Sequence, residues 1–255
     1  MKTYFVSDAH LGIGEQEIEK KKERELIRFL DLVQSDGKQL FILGDLFDFW
    51  FEYRTVIPKG YHRLLAKLSE VVEKGVKVSY LVGNHDFWLG KFFKDEIGMD
   101  VHAKPFSVVI GNAKFFLHHG DGLAHKDLAY RILKKVLRNR LSIWLYSWLH
   151  PDLGVKLARF SSKKSRGYTS QKDYGEGDGM KMFADQKIGE GYQYVIMGHN
   201  HKPVLERIGN GYYVNLGDWI SHYTYGVYNG KKFELLEWKQ VSSQGKVKLQ
   251  TKMRR

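Results

Sequence analysis

Cysteine is absent from the 255 residues. That excludes structural disulfides and every thiolate metal site, and it fits a reducing compartment. Long apolar runs are missing too. The most membrane-like stretch, Leu141 to Leu149 (LSIWLYSWL), would rise ~13 Å as a helix, against a hydrocarbon core of about 30 Å. No bilayer crossing is expected. The opening MKTYFVSDAH holds no apolar stretch of signal-peptide length. With no internal repeat and no low-complexity linker, the chain reads as one large domain or one domain carrying an insertion.

What is abundant is positive charge. The formal net charge is +12, while 43% hydrophobic and 27% charged residues indicate a globular chain. Such an excess favours polyanionic partners: nucleic acid, phosphorylated ligands or an anionic membrane surface. The charge is concentrated. Between Lys126 and Arg166 eleven Lys and Arg face only Asp127 and Asp152, which makes +9 of the chain's +12. The same stretch carries Leu137, Leu141, Trp144, Leu145 and Trp148. Basic amphipathic helices bearing Trp and Leu lie on anionic interfaces, and an apolar face with a cationic rim would suit acyl chains joined to a diphosphate. The plainer alternative is that these aromatics pack on the domain and leave the cations solvated. The tail from Lys239 to Arg255, with six basic residues and no acid, reads as a solvated end.

Hydrophobic patterning predicts a strand at Lys2–Ser7, a helix near Glu15–Gln34, a strand at Gln39–Leu43, a helix near Lys59–Lys74 and a strand at Val76–Val82. Strand, loop and helix in repetition imply parallel strands with right-handed crossovers, whose ligands gather at the carboxyl ends. Strands follow at Phe106–Ile110 and Lys114–Leu117 around a Gly111-Asn112 turn. Next come a long helical stretch, about Leu123 to Phe160 and broken near Pro151, and a strand at Tyr194–Met197. Hairpin strands close the pattern at Val204–Ile208, Tyr212–Leu216, Tyr225–Tyr228 and Phe233–Trp238.

Five of these strand ends deliver similar side chains: Asp8-x-His10, Gly44-Asp45, Gly83-Asn84-His85-Asp86, His119-Gly120-Asp121 and Gly198-His199-Asn200-His201. Carboxylate, amide and imidazole donors without sulfur suit Mn²⁺, Fe²⁺, Zn²⁺ or Mg²⁺. Residues i and i+2 of an extended segment face one side, so Asp8 and His10 can reach one ion together. In a bent loop His199 and His201 can divide between neighbouring ions. Each motif alone is weak; all five in order are strong. His118 should point away from His119 and pack. His62, His102, His125, His150 and His222 have no motif partner and read as surface or satisfied residues.

This motif set resembles the calcineurin-like metallophosphoesterase superfamily, from Asp8 to His201. The resemblance implies an α/β fold: a four-layer α/β/β/α sandwich with two metals at its crest. Asp8, His10, Asp45 and His201 would hold one ion, and Asp45, Asn84, His119 and His199 the other, with Asp45 bridging. Two cations about 3.5–4 Å apart lower the pKa of a bound water and neutralise phosphoryl oxygens for in-line attack. Asn84 and Asp45 thus serve the reaction directly, and His85 would donate to the leaving phosphate. Asp86 or Asp48 would orient imidazoles as acceptors.

The segments GDLFDFW, GNHDFWLGKFF and HHGDGLAHKDLAYRILKK are similar to the UDP-2,3-diacylglucosamine pyrophosphohydrolases of lipid A synthesis. That branch cleaves a lipid-linked sugar nucleotide to UMP and 2,3-diacylglucosamine 1-phosphate, usually with Mn²⁺. The resemblance implies a domain over 1–240 with a helical insertion, or cap, at about 123–166, and a basic tail at 241–255. Tyr130, Arg159, Ser162, Lys163, Lys164 and Arg166 would contact substrate. The expected location is cytoplasmic, peripheral on the inner face of the cell membrane. One position departs from the branch, which carries Arg after the motif's Asn where this chain has His85. The alternative function is a soluble phosphodiesterase or phosphatase acting on a nucleotide or another phosphoester. A nuclease ranks lower, since it needs an extended basic groove and binding that weakens steeply with salt. A non-catalytic scaffold ranks lowest, since all seven donors are present.

Overall fold

The computed structural model describes residues 2–123, 135–158 and 176–239. These residues form one six-stranded and one five-stranded sheet. In the first sheet, β1 (Lys2–Val6), β2 (Gly37–Leu43), β3 (Lys77–Leu81) and β4 (Asp100–His102) run parallel. Helices α1 (Gln16–Asp36), α2 (His62–Glu73) and the single turn α3 (Phe92–Asp95) connect them. Strands β10 (Thr224–Tyr228) and β11 (Phe233–Glu237) extend that sheet antiparallel beyond β1. The second sheet is formed by β5 (Phe106–Ile110), β6 (Ala113–Leu117), β7 (Tyr194–Met197), β8 (Val204–Ile208) and β9 (Gly211–Asn215). Strands β6, β7 and β9 are parallel, and β5 and β8 are antiparallel edges.

Alternation along the strands builds the layers. Phe5, Phe41, Leu43, Leu81, Phe115, Leu117, Ile196 and Val214 fill the space between the sheets. Their neighbours Tyr4, Val6, Leu40, Ile42, Val78 and Tyr80 turn the other way, onto Leu26, Phe29 and Val33 of α1 and Leu64 and Leu68 of α2. On the far side, Val195, Met197 and Tyr213 meet Met180 and Ala184 of a fourth helix layer, the helix Glu176–Gly189. The result is the expected α/β/β/α sandwich. Both faces of each sheet are covered, which is why the central strands read as continuous apolar runs rather than alternating ones.

The helical stretch expected across Leu123–Phe160 is more broken than its composition suggests. Within the described residues, α4 spans Arg140–Ser147, and further helical turns occupy 151–158. Asn139 caps α4, its side chain accepting from the Leu141 amide at 2.8 Å. Pro151 opens the next helical segment instead of kinking a long one, because its missing N–H is harmless at a first turn. The Glu176–Gly189 helix is α5. Tyr146 of α4 anchors this region to the sandwich: its ring packs on Trp88 and Phe51, and its hydroxyl donates to the Gly154 carbonyl at 2.6 Å. The Trp88 indole donates to the Leu137 carbonyl at 3.0 Å.

Candidate metal centre

The carboxyl ends of β1, β2, β3, β6 and β7 point to one crest, and each carries one of the five motifs. Backbone bonds lace these ends together. Asp8 N donates to the Gly44 carbonyl, His10 N to the Asp45 carbonyl and Gly198 N to the His119 carbonyl, at 3.1, 2.9 and 2.9 Å. Crowding demands glycine most strongly at two places. A Cβ on Gly83 would collide with Asp45 Oδ1, and one on Gly198 with Asp8 Oδ2.

The lacing bends the backbone out of its comfortable range. Asp8, His10, Asp45, His199 and His201 all have positive φ, between 42° and 72°, and among the described non-glycine residues only Tyr223 joins them. Each such residue costs on the order of 1–3 kcal/mol. Five of them approach the whole stability of an ordinary domain, so strain here marks a functional region.

Each buried carboxylate divides its oxygens between two tasks. Asp8 Oδ2 accepts from His199 N at 2.9 Å, and Asp45 Oδ1 accepts from His85 N at 2.8 Å. The other oxygens face imidazoles. Asp8 Oδ1 lies 3.6 Å from His10 Nε2 and 3.4 Å from His201 Nε2. Asp45 Oδ2 lies 3.5 Å from His10 Nε2 and 3.3 Å from His119 Nε2. The nitrogens of His10 and His201 are 3.2 Å apart. Most of these separations are long for hydrogen bonds, and Asp8 Oδ1 has no hydrogen-bond partner although it is buried. They suit shared coordination: donors at about 2.1 Å from one ion lie about 3.0–3.5 Å from each other. Asp8, His10 and His201 form one such group and Asp45, His119 and His199 another. Asp45 Oδ2 stands between them. Asn84 Oδ1 is 2.9 Å from His119 Nε2 and joins the second group. The donor set therefore fits divalent ions.

Neighbouring acceptors orient these imidazoles. His119 Nδ1 lies 2.7 Å from the Leu43 carbonyl. A carbonyl can only accept, so Nδ1 carries the proton and Nε2 turns toward Asp45. Asp48 faces both His10 Nδ1, at 3.6 Å, and His85 Nδ1, at 3.5 Å, and its carbonyl meets His85 Nδ1 at 3.1 Å. These three residues form a third close group that shares His10. Asp86, the other residue expected to orient imidazoles, does something else. It accepts from Leu46 N, Gly83 N and the Tyr80 hydroxyl, tying the ends of β2 and β3 together beneath the crest.

Charge follows geometry. Burial alone would raise Asp8, but contacts with His10 and His201 hold its carboxyl well below the usual range. Burial would likewise raise Asp45, and the imidazoles around it, His119 first, bring it well below normal. Burial works to lower His10, yet Asp48, Asp8 and Asp45 push it up to about 10. His119 also reaches about 10, Asp45 outweighing burial. His199 falls to about 4, through burial and then the adjacent positive His119. Burial and the nearby Asp45 raise Asp86.

A family model described as Calcineurin-like phosphoesterase matches residues 1–203. The chain belongs to the calcineurin-like phosphoesterase family. It is therefore a metal-dependent hydrolase, and the family's divalent ions have candidate donor groups at the crest. Among curated relatives of this phosphoesterase, the UDP-2,3-diacylglucosamine hydrolase of Porphyromonas gingivalis (strain ATCC BAA-308 / W83) is 33% identical over 247 residues. The alignment takes in 90% of this chain and 94% of that one. The enzyme of the same name from Shewanella baltica (strain OS195) is 30% identical over 223 residues, 87% of this chain and 90% of that one. Among solved structures, Yfce, a phosphoesterase from E. coli, aligns at 19% identity and a TM-score of 0.48 over 94% of this chain and 96% of that one.

The structure brings all seven expected donors to the crest of this phosphoesterase, with His85 beside them. The expected substrate contacts Tyr130, Arg159, Ser162, Lys163, Lys164 and Arg166 lie outside the described residues, as do His125 and the 241–255 tail. His118 packs against Phe183 and accepts from Gly120 N at 2.7 Å. His102 stacks on Phe106, and His62 and His150 are exposed. His222 is closer to the site than its lack of a motif suggested. Its Nδ1 is 2.9 Å from Asp218 Oδ2, and that same oxygen lies 3.8 Å from His201 Nδ1. Sequence reading missed Asp218. The signal was present, since Gly217-Asp218 at the end of β9 repeats the Gly44-Asp45 pattern at the end of β2. Lys22 was missed as well. Buried in α1, it donates to the His10 carbonyl at 3.0 Å and pairs with Glu19.

Proposed function

We propose that this phosphoesterase hydrolyses the diphosphate of UDP-2,3-diacylglucosamine, yielding UMP and 2,3-diacylglucosamine 1-phosphate. The observation that carries the reading is the pair of donor groups joined through Asp45 Oδ2. It sits in a chain alignable over about nine-tenths of its length with relatives named for that substrate. Asp8, His10, Asp45 and His201 are assigned to one divalent ion, and Asp45, Asn84, His119 and His199 to the other, with Mn²⁺ as first choice. Such ions would supply hydroxide from water near neutral pH and offset phosphoryl charge.

The chain's own residues orient the rest. Asp48 grips His85 through Nδ1, so Nε2 is the nitrogen assigned to the leaving phosphate, as donor of a hydrogen bond or proton. Asp48 and Asp218 face the Nδ1 atoms of His10 and His201, at 3.6 and 3.8 Å. Lys163, Lys164, Arg159 and Arg166 are assigned to the diphosphate and glucosamine, and Ser162 and Tyr130 to further substrate contacts.

Attachment to the inner face of the membrane belongs to the same reading. No helix among the described residues is long and apolar enough to cross a membrane. Yet Leu141, Trp144, Leu145 and Trp148 of the α4 region are exposed, Trp148 by 74%, amid the chain's densest positive charge. That combination supports binding at an anionic interface and favours a lipid substrate over a soluble nucleotide.

Incubating Mn²⁺-loaded protein with UDP-2,3-diacylglucosamine and separating nucleotides by chromatography tests the reading. UMP release is expected. Intact lipid nucleotide, from protein that still cleaves bis(p-nitrophenyl) phosphate, would transfer the chain to the soluble phosphodiesterases.

A further inference from the structure

Arg138 stands just before α4 and reaches back to the crest. Its Nη2 donates to the Gly83 carbonyl at 2.8 Å, one residue before Asn84, and lies 3.7 Å from Asp121 Oδ2. Its guanidinium carbon sits 5.4 Å from the centre of the Phe87 ring. One side chain thus touches both segments that deliver Asn84, His85 and His119. These contacts use a single nitrogen of the guanidinium. Nε is buried and has no hydrogen-bond partner, and no hydrogen bond of Nη1 to a described residue is found, while about a quarter of the side chain remains exposed.

An arginine that only fastened the α4 region to the sandwich would be expected to spend its fork on protein acceptors. Here the planar group is fixed through Nη2 on the segment that carries Asn84, with Nε left unpartnered. A guanidinium held in this way is pre-organised for a phosphate oxygen, because it loses little freedom on binding. Among the described residues the crest is rich in carboxylates, Asp8, Asp45, Asp48, Asp121 and Asp218, and its imidazoles bind ions only in the neutral form. A diphosphate needs more countercharge than a single phosphoryl group.

We infer that Arg138 is a substrate-contacting residue that binds the phosphoryl group of the diphosphate farther from the attacked phosphorus, so that cap and crest share the substrate. The inference rests on the proposed diphosphate substrate, and its test separates the two. Arg138→Met and Arg138→Lys are compared with the parent protein, Mn²⁺-loaded, in three measurements. These are kcat/KM on UDP-2,3-diacylglucosamine, kcat/KM on bis(p-nitrophenyl) phosphate, and competitive inhibition of the latter by inorganic pyrophosphate.

Arg138→Met is expected to lose about 10- to 100-fold on the lipid nucleotide, the scale of one charge-assisted hydrogen bond. Pyrophosphate inhibition should weaken in parallel. Turnover of bis(p-nitrophenyl) phosphate and the bound metal per chain should stay within about twofold, and Arg138→Lys should recover part of the loss. Unchanged pyrophosphate inhibition in Arg138→Met overturns the inference, and so does an equal loss on both substrates, which would make Arg138 a clasp. Failure of the parent protein on the lipid nucleotide alone would sink the substrate reading, while the pyrophosphate measurement would still judge Arg138.

Discussion

At the scale of single residues, Asp45 carries the most consequence. One of its oxygens is committed to the His85 amide and the other faces both donor groups. Asp45→Ala should cut turnover by at least about 10⁴-fold, the upper end of what one lost general acid costs, and should lower bound metal per chain, as read by elemental analysis beside kinetics. His85→Gln should instead keep its metal and lose roughly 10²- to 10⁴-fold in kcat. A metal-depleted His85→Gln protein would show that the ring serves the ions and not the phosphate. Proton uptake gives a third expectation. In the metal-free site His10 and His119 titrate near 10, above an ordinary imidazole at about 6.5. Their contribution to the stability of the metal-free protein is therefore complete below pH ~6.5 and disappears as pH climbs through about 10. Ions must displace the same protons. Loading should release protons and tighten as pH rises from 6 to 8, which calorimetry in buffers of different ionisation enthalpy would detect. Affinity independent of pH would contradict the assignment of these two rings.

At the scale of elements, the α4 region is where chemistry and surface meet. Tyr146 holds it to Trp88 and Phe51 on one side, while Leu141, Trp144, Leu145 and Trp148 face outward. Replacing Trp144 and Trp148 together by Glu should abolish co-sedimentation with anionic vesicles and leave hydrolysis of bis(p-nitrophenyl) phosphate intact. Retained vesicle binding would mean that the stripe is covered by something other than lipid. How legible the elements were depended on their size and partners. Strands β1, β2, β3 and β7 could be read because buried parallel strands are short, continuous apolar runs, each ending here in a polar turn. Strand β4 and helix α3 could not, having three and four residues and gaining their regularity from β3 and the core. The run of hairpins after His201 hid a change of sheet. Strand β9 pairs with β7 in one layer and β10 with β1 in the other, a choice made by distant partners. The crest donors were legible because glycine and polar residues recur at strand ends. Asp218 repeats that pattern but sits outside the five motifs, and Arg138 reaches the crest from 55 residues away along the chain, where local pattern carries no signal.

At the scale of the whole molecule, the two sheets set their carboxyl ends side by side, so that β1, β2 and β3 bring Asp8, His10, Asp45 and Asn84 while β6 and β7 bring His119, His199 and His201. The ions would thus sit on the seam between layers and bind only the folded arrangement. Stripping them with a chelator should lower the melting temperature, and restoring Mn²⁺ at about 100 times its dissociation constant should return about 2.7 kcal/mol. An unchanged melting curve would place the ions off the seam. The excess positive charge adds an ionic-strength dependence: vesicle binding should weaken as salt shortens the reach of surface charge to about 8–10 Å.

The tightly wound backbone at Asp8, His10, Asp45, His199 and His201 has one more result. Four of these five left-handed residues are tied in pairs, His10 N to the Asp45 carbonyl and His199 N to Asp8 Oδ2, so neither member of a pair relaxes without the other. A chain emptied of both ions would hold this arrangement under tension, and filling the first position would set the second in advance through the oxygen they share. Occupancy should then rise steeply with metal concentration, with few chains caught half-filled.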